Sequence, residues 1–173
     1  TASLLELGAG TGCIAVSIAH AAPKVSVIAT DINPAALRLT QKNAERHGVI
    51  QRIQLRQGDL FEALEPADGP FDVICSNPPY IETGAWMRLD PVIRLHENPG
   101  ALLAGDDGLD VIRKLIRDTR EWLAPGGLLA FEIGMGQYRK VRGLLERHGY
   151  DRIRFVRDLA GIERVAVAET QGS

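Results

Sequence analysis

The sequence has few cysteines and no long apolar segment, and both scarcities exclude whole classes of protein. Only two cysteines occur among 173 residues, and Cys13 and Cys75 stand far apart, so neither a disulfide framework nor a zinc-binding spacing is present. Each lies in an apolar stretch, which predicts reduced, buried thiols in a cytoplasmic protein. No apolar run approaches the roughly 20 residues of a membrane span.

Basic charge and aromatic rings are also scarce. Twenty Lys and Arg residues stand against 22 Asp and Glu residues, for a net charge of −2, and aromatic residues make up only 5% of the chain. Binding to nucleic acid through bulk charge needs a basic excess, and single-strand binding needs stacking rings. The composition therefore disfavours nucleic-acid binding through overall charge, and only a local basic patch would allow it.

The four histidines do not form a metal-binding pattern. His47 and His148 each precede a glycine at a predicted helix end, whereas His20 and His96 have no partner at ligand spacing. We therefore predict no metal site.

What is present is the composition of one globular domain. Hydrophobic residues make up 45% of the chain and charged residues 24%, which excludes a disordered chain. The first residues already form an apolar strand pattern, and no signal-peptide pattern precedes it. We therefore expect one monomeric domain over residues 1–173 that was excised from a longer protein.

Apolar runs of strand length alternate with segments of helix length, which predicts an α/β fold with a doubly wound, mostly parallel sheet. The seven strands are expected at residues 3–7, 25–30, 52–56, 71–76, 128–133, 151–157 and 163–168. The helices are expected near residues 12–21, 34–47, 108–123 and 137–148, with Asn33-Pro34 opening the second and Gly48 and Gly149 closing two of them.

Only a short turn around Ala160-Gly161 separates the last two predicted strands, and such a turn permits only antiparallel pairing. The sheet should therefore end in an antiparallel hairpin. This ending distinguishes it from the dinucleotide-binding fold with six parallel strands.

A glycine-rich loop follows the first strand. Gly8-Ala9-Gly10-Thr11-Gly12 would let a ligand approach the backbone closely, and Asp31, at the end of the second strand, can accept hydrogen bonds from both hydroxyls of an adenosine ribose. The glycines follow a G-x-G-x-G pattern. Cys13 takes the place of the last glycine of a G-x-G-x-x-G fingerprint, so NAD is disfavoured without being excluded.

A third candidate segment follows the third strand. Asp59 and Leu60 offer a carboxylate and an apolar side chain that could meet the amino group and the ring face of adenine. The alternative is an ordinary turn that contains an aspartate.

The most specific motif is Asn77-Pro78-Pro79-Tyr80, directly after the fourth strand. In open parallel sheets ligands bind at this edge, so the motif should face the glycine loop. The prolines make a stiff corner. The Asn77 amide oxygen and the Pro78 carbonyl can both accept hydrogen bonds from one planar –NH2 group while Tyr80 packs on its face. The alternative is a simple loop.

Residues 81–106 form a long connection with only a short helical segment, and they include Trp86, Met87, Pro91 and Pro99. Connections of this length often act as lids. A packed connector, with Trp86 filling a surface gap, is the alternative. Either arrangement would place the segment beside the proposed site.

The glycine loop, Asp31 and Asn77-Pro78-Pro79-Tyr80 together resemble the S-adenosylmethionine-dependent methyltransferases that modify planar nitrogens in proteins, DNA or RNA. Further motifs resemble the HemK-type release factor glutamine N5-methyltransferases in particular. These motifs are Glu97 with Ala101-Leu102, Gly105-Asp106-Asp107-Gly108-Leu109, Pro125-Gly126-Gly127, Glu132-Ile133-Gly134 with Gln137, and Asp158-Leu159-Ala160-Gly161 with Arg164-Val165. The family usually has proline directly after the glutamate, whereas Asn98 follows Glu97 here, so no role is transferred to Glu97.

The resemblance implies a Rossmann-like class I methyltransferase fold with S-adenosyl-L-methionine as cofactor and S-adenosyl-L-homocysteine as product. Gly8 to Gly12 would hold the methionine part, Asp31 the ribose, and Asp59 with Leu60 the adenine. Asn77 would contact both cofactor and substrate. Asn77, Pro78 and Tyr80 would be catalytic, and together with Pro79 they would bind the substrate amide.

The implied substrate is the Gly-Gly-Gln glutamine of peptide chain release factors, which places the protein in translation termination. The resemblance also implies an N-terminal helical domain that binds the substrate, and we expect it to be absent from this chain. Three alternatives remain open: methylation of a ribosomal-protein glutamine, methylation of an adenine or guanine amine in a flipped base, and a non-catalytic module that binds a nucleotide or NAD.

Overall fold

Seven strands form a single sheet in the computed structural model, which describes residues 2–96 and 98–170. The strands are β1 (Ala2–Leu7), β2 (Val25–Asp31), β3 (Ile53–Gln57), β4 (Phe71–Ser76), β5 (Leu123–Glu132), β6 (Asp151–Arg157) and β7 (Glu163–Glu169). The α-helices are α1 (Cys13–Ala21), α2 (Pro34–Arg46), α3 (Pro91–His96), α4 (Asp110–Thr119) and α5 (Tyr138–Arg147). Within these two ranges no helix is long and apolar enough to cross a membrane.

The strand order is β3-β2-β1-β4-β5-β7-β6, and it runs outward in both directions from the centre. The first five strands are parallel, whereas β7 lies antiparallel to both β5 and β6. The predicted α/β class, the seven strands and the terminal hairpin are all confirmed. The chain reverses its winding direction between β1 and β4, which is where such sheets form a ligand crevice.

The core lies on both faces of the sheet because the side chains of the central strands alternate between them. Leu5 and Leu7 of β1 belong to the apolar cluster that includes Ile112 of α4 and Leu145 of α5. Leu4 belongs to the other cluster, which includes residues of α1 and α2. Both faces of β1 are therefore buried, and the strand is a rigid base for the loop that follows it.

Local capping fixes the ends of the helices as the sequence predicts. The Asn33 side chain accepts a hydrogen bond from the Ala35 N–H at 2.9 Å, and Pro34 occupies the first turn of α2. Gly48 and Gly149 follow the ends of α2 and α5 with φ values of 66° and 70°, in the left-handed region.

Two predicted boundaries are wrong on either side of residue 123. The sequence predicts a helix over residues 108–123, but the observed α4 already ends at Thr119. The predicted strand 128–133 begins earlier, because Leu123 already pairs with Phe71. Pro125-Gly126-Gly127 is typical of a break, but it forms a bulge inside β5, where the step from Leu123 to Leu128 lies opposite the step from Phe71 to Val73.

The prediction of two buried thiols holds for one cysteine only. Cys75 is buried in β4, and burial raises the pKa of its thiol. Cys13 is exposed. It is the first residue of α1, and the packed face of that helix begins only at Ala15 and Val16. An apolar stretch at a helix start therefore does not bury its first residue.

Candidate functional site

The sheet register brings four loops to one edge. Leu7 pairs with Thr30 on one side and with Ser76 on the other, and Ser76 pairs in turn with Phe131. The residues that follow these strand ends are therefore neighbours in space. The Ser76 hydroxyl donates a 2.8 Å hydrogen bond to the Leu7 carbonyl, which locks the β1 and β4 ends together.

The glycine loop is shaped by three residues in the left-handed region. The φ values of Gly8, Gly10 and Gly12 are 72°, 56° and 75°. A Cβ on Gly12 would overlap the side chain of Thr40 on α2, so this glycine permits close helix packing. A Cβ on Gly8 or Gly10 would meet nothing within 4 Å. These two positions therefore present bare backbone to open space.

Asp31 holds the glycine loop in place. One carboxylate oxygen accepts a 2.8 Å hydrogen bond from the Gly10 N–H, and the other accepts one of 2.8 Å from the Asn33 N–H. Each oxygen of a carboxylate can accept a second hydrogen bond. Asp31 can therefore shape the loop and still bind ligand hydroxyl groups.

The segment with Asp59 and Leu60 lies beside Asp31. The Gly58 N–H donates to the Asp31 carbonyl at 3.1 Å, and the Thr30 hydroxyl donates to the Leu60 carbonyl at 3.4 Å. Asp59 begins a short 3-10 turn, but its side chain does not cap that turn. The Lys114 ammonium lies 4.0 Å from the Asp59 carboxylate. The Asp59 carboxylate therefore makes no capping hydrogen bond to the turn and can still accept one from a ligand.

The Asn77-Pro78-Pro79-Tyr80 segment forms one wall of a small cavity at the same edge. Pro78 is buried and anchors the segment, whereas Asn77 is exposed and its side-chain amide is accessible to a ligand. The cavity has a volume of about 140 Å³. Its lining is Asn77, Pro78, Pro79, Tyr80, Ile81, Ala101 and Leu102.

Tyr80 is held at both ends of the residue. Its hydroxyl donates a 2.8 Å hydrogen bond to Oε1 of Glu132, the last residue of β5. Its carbonyl accepts a 3.1 Å hydrogen bond from Nε2 of Gln137. Burial, and after it the hydrogen bond to Glu132, raises the pKa of Tyr80 to about 12. The side chain is therefore a neutral phenol at physiological pH.

Glu132 and Gln137 have roles that sequence reasoning missed, since they entered only as part of a family resemblance. Gln137 also accepts a 2.8 Å hydrogen bond from the Gly134 N–H and donates one of 3.3 Å to the Gly108 carbonyl. The sequence signal that could have identified them is their position at or just after the carboxyl end of a buried central strand, because polar residues there lie at the ligand edge of the sheet.

Glu6 is the third missed residue, and it lies beneath the glycine loop. It is 2% exposed, and its carboxylate accepts a 2.9 Å hydrogen bond from the Ala15 N–H in the first turn of α1. Burial raises the pKa of Glu6 to about 7, the Ala15 N–H opposes that rise, and the Asp31 charge adds to it. The sequence signal that could have identified Glu6 is an acidic residue within a largely apolar strand.

The two ends of the connection over residues 81–106 are held to each other. Ile81 forms a bridge with Leu103, and the Thr83 N–H donates to the Gly105 carbonyl at 2.9 Å. Between these points Trp86 is half-buried, whereas Met87 is 74% exposed. Whether the segment moves stays a prediction, and Glu97 lies outside the described residues.

In the part of the chain that the structure describes, no group of three or more His, Cys, Asp or Glu side chains could hold a metal.

Comparison with known proteins assigns a family to this arrangement. The family model described as methyltransferase small domain matches residues 1–98. The release factor glutamine methyltransferase of Gloeobacter violaceus is 45% identical over 167 residues, which is 96% of this chain and 58% of the relative. The chain spans a little over half the length of the curated relatives it matches.

Solved structures share the fold at low sequence identity. A methyltransferase from Pyrococcus furiosus has a TM-score of 0.72 at 19% identity, and the match covers 98% of this chain and 75% of that one. A T. thermophilus 16S rRNA N2 methyltransferase in complex with AdoMet and guanosine has a TM-score of 0.70 at 24% identity, over 98% of this chain and 37% of that one.

Proposed function

The chain belongs to the methyltransferase small domain family, and we propose that it transfers a methyl group from S-adenosylmethionine to the side-chain amide nitrogen of a protein glutamine. The first candidate substrate is a glutamine of peptide chain release factors, because the relatives are named release factor glutamine methyltransferases. The family resemblance implies that this is the glutamine of the Gly-Gly-Gln motif. The observation that carries the proposal is the exposed Asn77 beside a proline-bounded cavity, at the sheet edge where the glycine loop also lies.

The residues around the glycine loop fit this cofactor. Gly8 and Gly10, in the loop Gly8-Ala9-Gly10-Thr11-Gly12, leave open space beside their backbone that would take the methionine part. Asp31 has acceptor capacity left for the ribose hydroxyls, and Asp59 with Leu60 supplies an acceptor and an apolar surface for the adenine. Calorimetry separates this assignment from an NAD module, since S-adenosylhomocysteine should bind and NADH should not.

The acceptor nitrogen is a weak nucleophile because its lone pair is delocalised into the amide carbonyl. The Asn77 side-chain oxygen and the Pro78 carbonyl would accept hydrogen bonds from the same –NH2 group. This raises electron density on nitrogen and orients its lone pair, an electrostatic and proximity effect worth several kcal/mol. Neither of these neutral oxygens would remove a proton, so in the proposed sequence the nitrogen keeps its proton until the methyl group has been transferred.

S-adenosylmethionine, when bound, would supply a methyl group on a positively charged sulfur. The acceptor nitrogen would gain the methyl as the carbon–sulfur bond breaks, with S-adenosylhomocysteine as the leaving product. The face of the Tyr80 ring would stabilise the charge that spreads in this transition state by about 0.5–2 kcal/mol. The hydrogen bond to Glu132 holds that ring in place. The surplus proton on nitrogen would leave to water after the transfer.

The test is a labelled-methyl transfer assay. The enzyme should label a release factor that carries Gly-Gly-Gln and leave its Gln→Ala version unlabelled. Labelling of a ribosomal protein in place of the release factor would redirect the proposal to that substrate. Labelling of DNA or RNA, with binding that weakens steeply as salt rises, would overturn it. A cytoplasmic location and a monomeric state stay predictions.

A further inference from the structure

The acceptor corner is supported from behind by a side-chain amide whose two polar atoms are both in use. Oε1 of Gln137 accepts from the Gly134 N–H at 2.8 Å, and Nε2 donates to the carbonyls of Tyr80 at 3.1 Å and Gly108 at 3.3 Å. The three partners belong to three different loops, after β4, before α4 and after β5. A shift of the amide toward one loop would therefore break its bonds to the others.

Two glycines make this close approach possible. Gly108 has a φ of 70°, and a Cβ there would overlap the Tyr80 carbonyl. A Cβ on Gly134 would lie 3.0 Å from Oε1 of Gln137 and 3.2 Å from Cδ2 of Tyr80. The backbone around the amide is thus closely packed, which leaves little freedom for the Tyr80 carbonyl.

Gln137 is itself fixed by the secondary structure. It is the N-cap residue of α5, and its carbonyl accepts the Val141 N–H at 3.0 Å. The helix packs on the sheet through the buried Val141, Leu144 and Leu145. The direction of the side-chain amide is therefore anchored to the core, outside the cavity that Asn77 and Pro78 line.

We propose that Gln137 is a positioning residue for methyl transfer. By fixing the Tyr80 carbonyl and its loop, it sets the direction in which Asn77 and Pro78 present their oxygens to the acceptor nitrogen. This inference rests on the proposed function. A misplacement of about 1 Å at a reacting centre costs on the order of 100-fold in rate, so the effect should fall on turnover.

The decisive variant is Gln137→Glu at pH 8. The carboxylate keeps the acceptor for the Gly134 N–H and removes the donor to the Tyr80 and Gly108 carbonyls. We expect kcat to fall roughly 10- to 100-fold, while KM for the release factor changes less than threefold and the affinity for S-adenosylhomocysteine is unchanged. Wild-type kcat in this variant would overturn the proposal.

Tyr150→Phe is the matched control. The Tyr150 hydroxyl, just before β6, donates a 3.0 Å hydrogen bond to the Ile116 carbonyl in α4. The substitution therefore removes one buried hydrogen bond that lies away from the acceptor loops. We expect a lower melting temperature and wild-type kcat. If the control lost turnover to the same degree, general destabilisation would explain both variants and the positioning role would be wrong.

Amide hydrogen exchange reads out the same role without any activity. The Ile81 N–H, which donates to the Leu102 carbonyl, should exchange roughly tenfold faster in Gln137→Glu and at the wild-type rate in Tyr150→Phe. Wild-type protein that methylates no glutamine would refute the proposed function alone. Unchanged exchange at Ile81 in Gln137→Glu would refute the positioning role.

Discussion

At the scale of single residues, Asn77 bears most of the proposed chemistry, because it is the exposed polar side chain of a rigid corner. We predict that Asn77→Ala lowers kcat on the order of 100-fold, which is typical of losing one preorganised hydrogen-bonding group. The dissociation constant of S-adenosylhomocysteine, measured by calorimetry, should change little, because the glycine loop and Asp31, which would hold most of the cofactor, are untouched and the main role proposed for Asn77 is to hold the amide. Wild-type turnover would remove Asn77 from the mechanism.

Glu6 is the residue whose ionisation should limit stability at neutral pH. Its folded-state pKa of about 7 lies above the ordinary value of 4.5, so the folded chain holds this proton more tightly than the unfolded chain does. The resulting stability is complete below pH 4.5 and is lost as the pH rises toward 7, by about 3 kcal/mol.

We therefore predict that Glu6→Gln, which cannot ionise, becomes progressively more stable than wild type as the pH rises from 5 to 8. Urea unfolding of both proteins across this range measures the difference. Parallel stability curves would show that the Glu6 carboxyl does not titrate in the folded chain as its burial implies.

At the scale of elements, the passage from β1 to α1 depends on Gly12. Alanine there would adopt a left-handed φ, which costs about 1–2 kcal/mol, and would overlap Thr40 of α2, which adds about 1–3 kcal/mol. We predict that Gly12→Ala destabilises the chain and weakens S-adenosylhomocysteine binding. Gly84→Ala is the control, because a Cβ there meets nothing within 4 Å. Equal stability of the two variants would contradict the packing argument.

The elements themselves could be predicted because the central strands are apolar runs between polar turns, whereas the edge strands β3 and β6 mix apolar and polar residues. The hairpin could be predicted because its turn is too short for a crossover connection. The extent of β5 could not, since glycines inside a bulge resemble glycines that end a strand. Hydrogen-bond partners that are far apart in the sequence could not be predicted either. Tyr80 meets Glu132 and Gln137 across 52 and 57 residues of sequence, and no local pattern encodes these pairs.

At the scale of the whole molecule, the sheet order explains why motifs so far apart in sequence can form one site. The winding reverses between β1 and β4, so the loops that follow these two strands flank one crevice. The register from Thr30 through Leu7 and Ser76 to Phe131 aligns the loop starts. The fold thus places a glycine loop, an acidic residue and a proline-bounded corner at one edge.

A crystal structure of the protein with S-adenosylhomocysteine and a Gly-Gly-Gln peptide would test this account most directly. We predict that the glutamine amide nitrogen lies about 3 Å from both the Asn77 side-chain oxygen and the Pro78 carbonyl, and that it points toward the sulfur atom above Gly8 and Gly10. A peptide amide bound away from these two oxygens, or a cofactor bound outside the glycine loop, would contradict it.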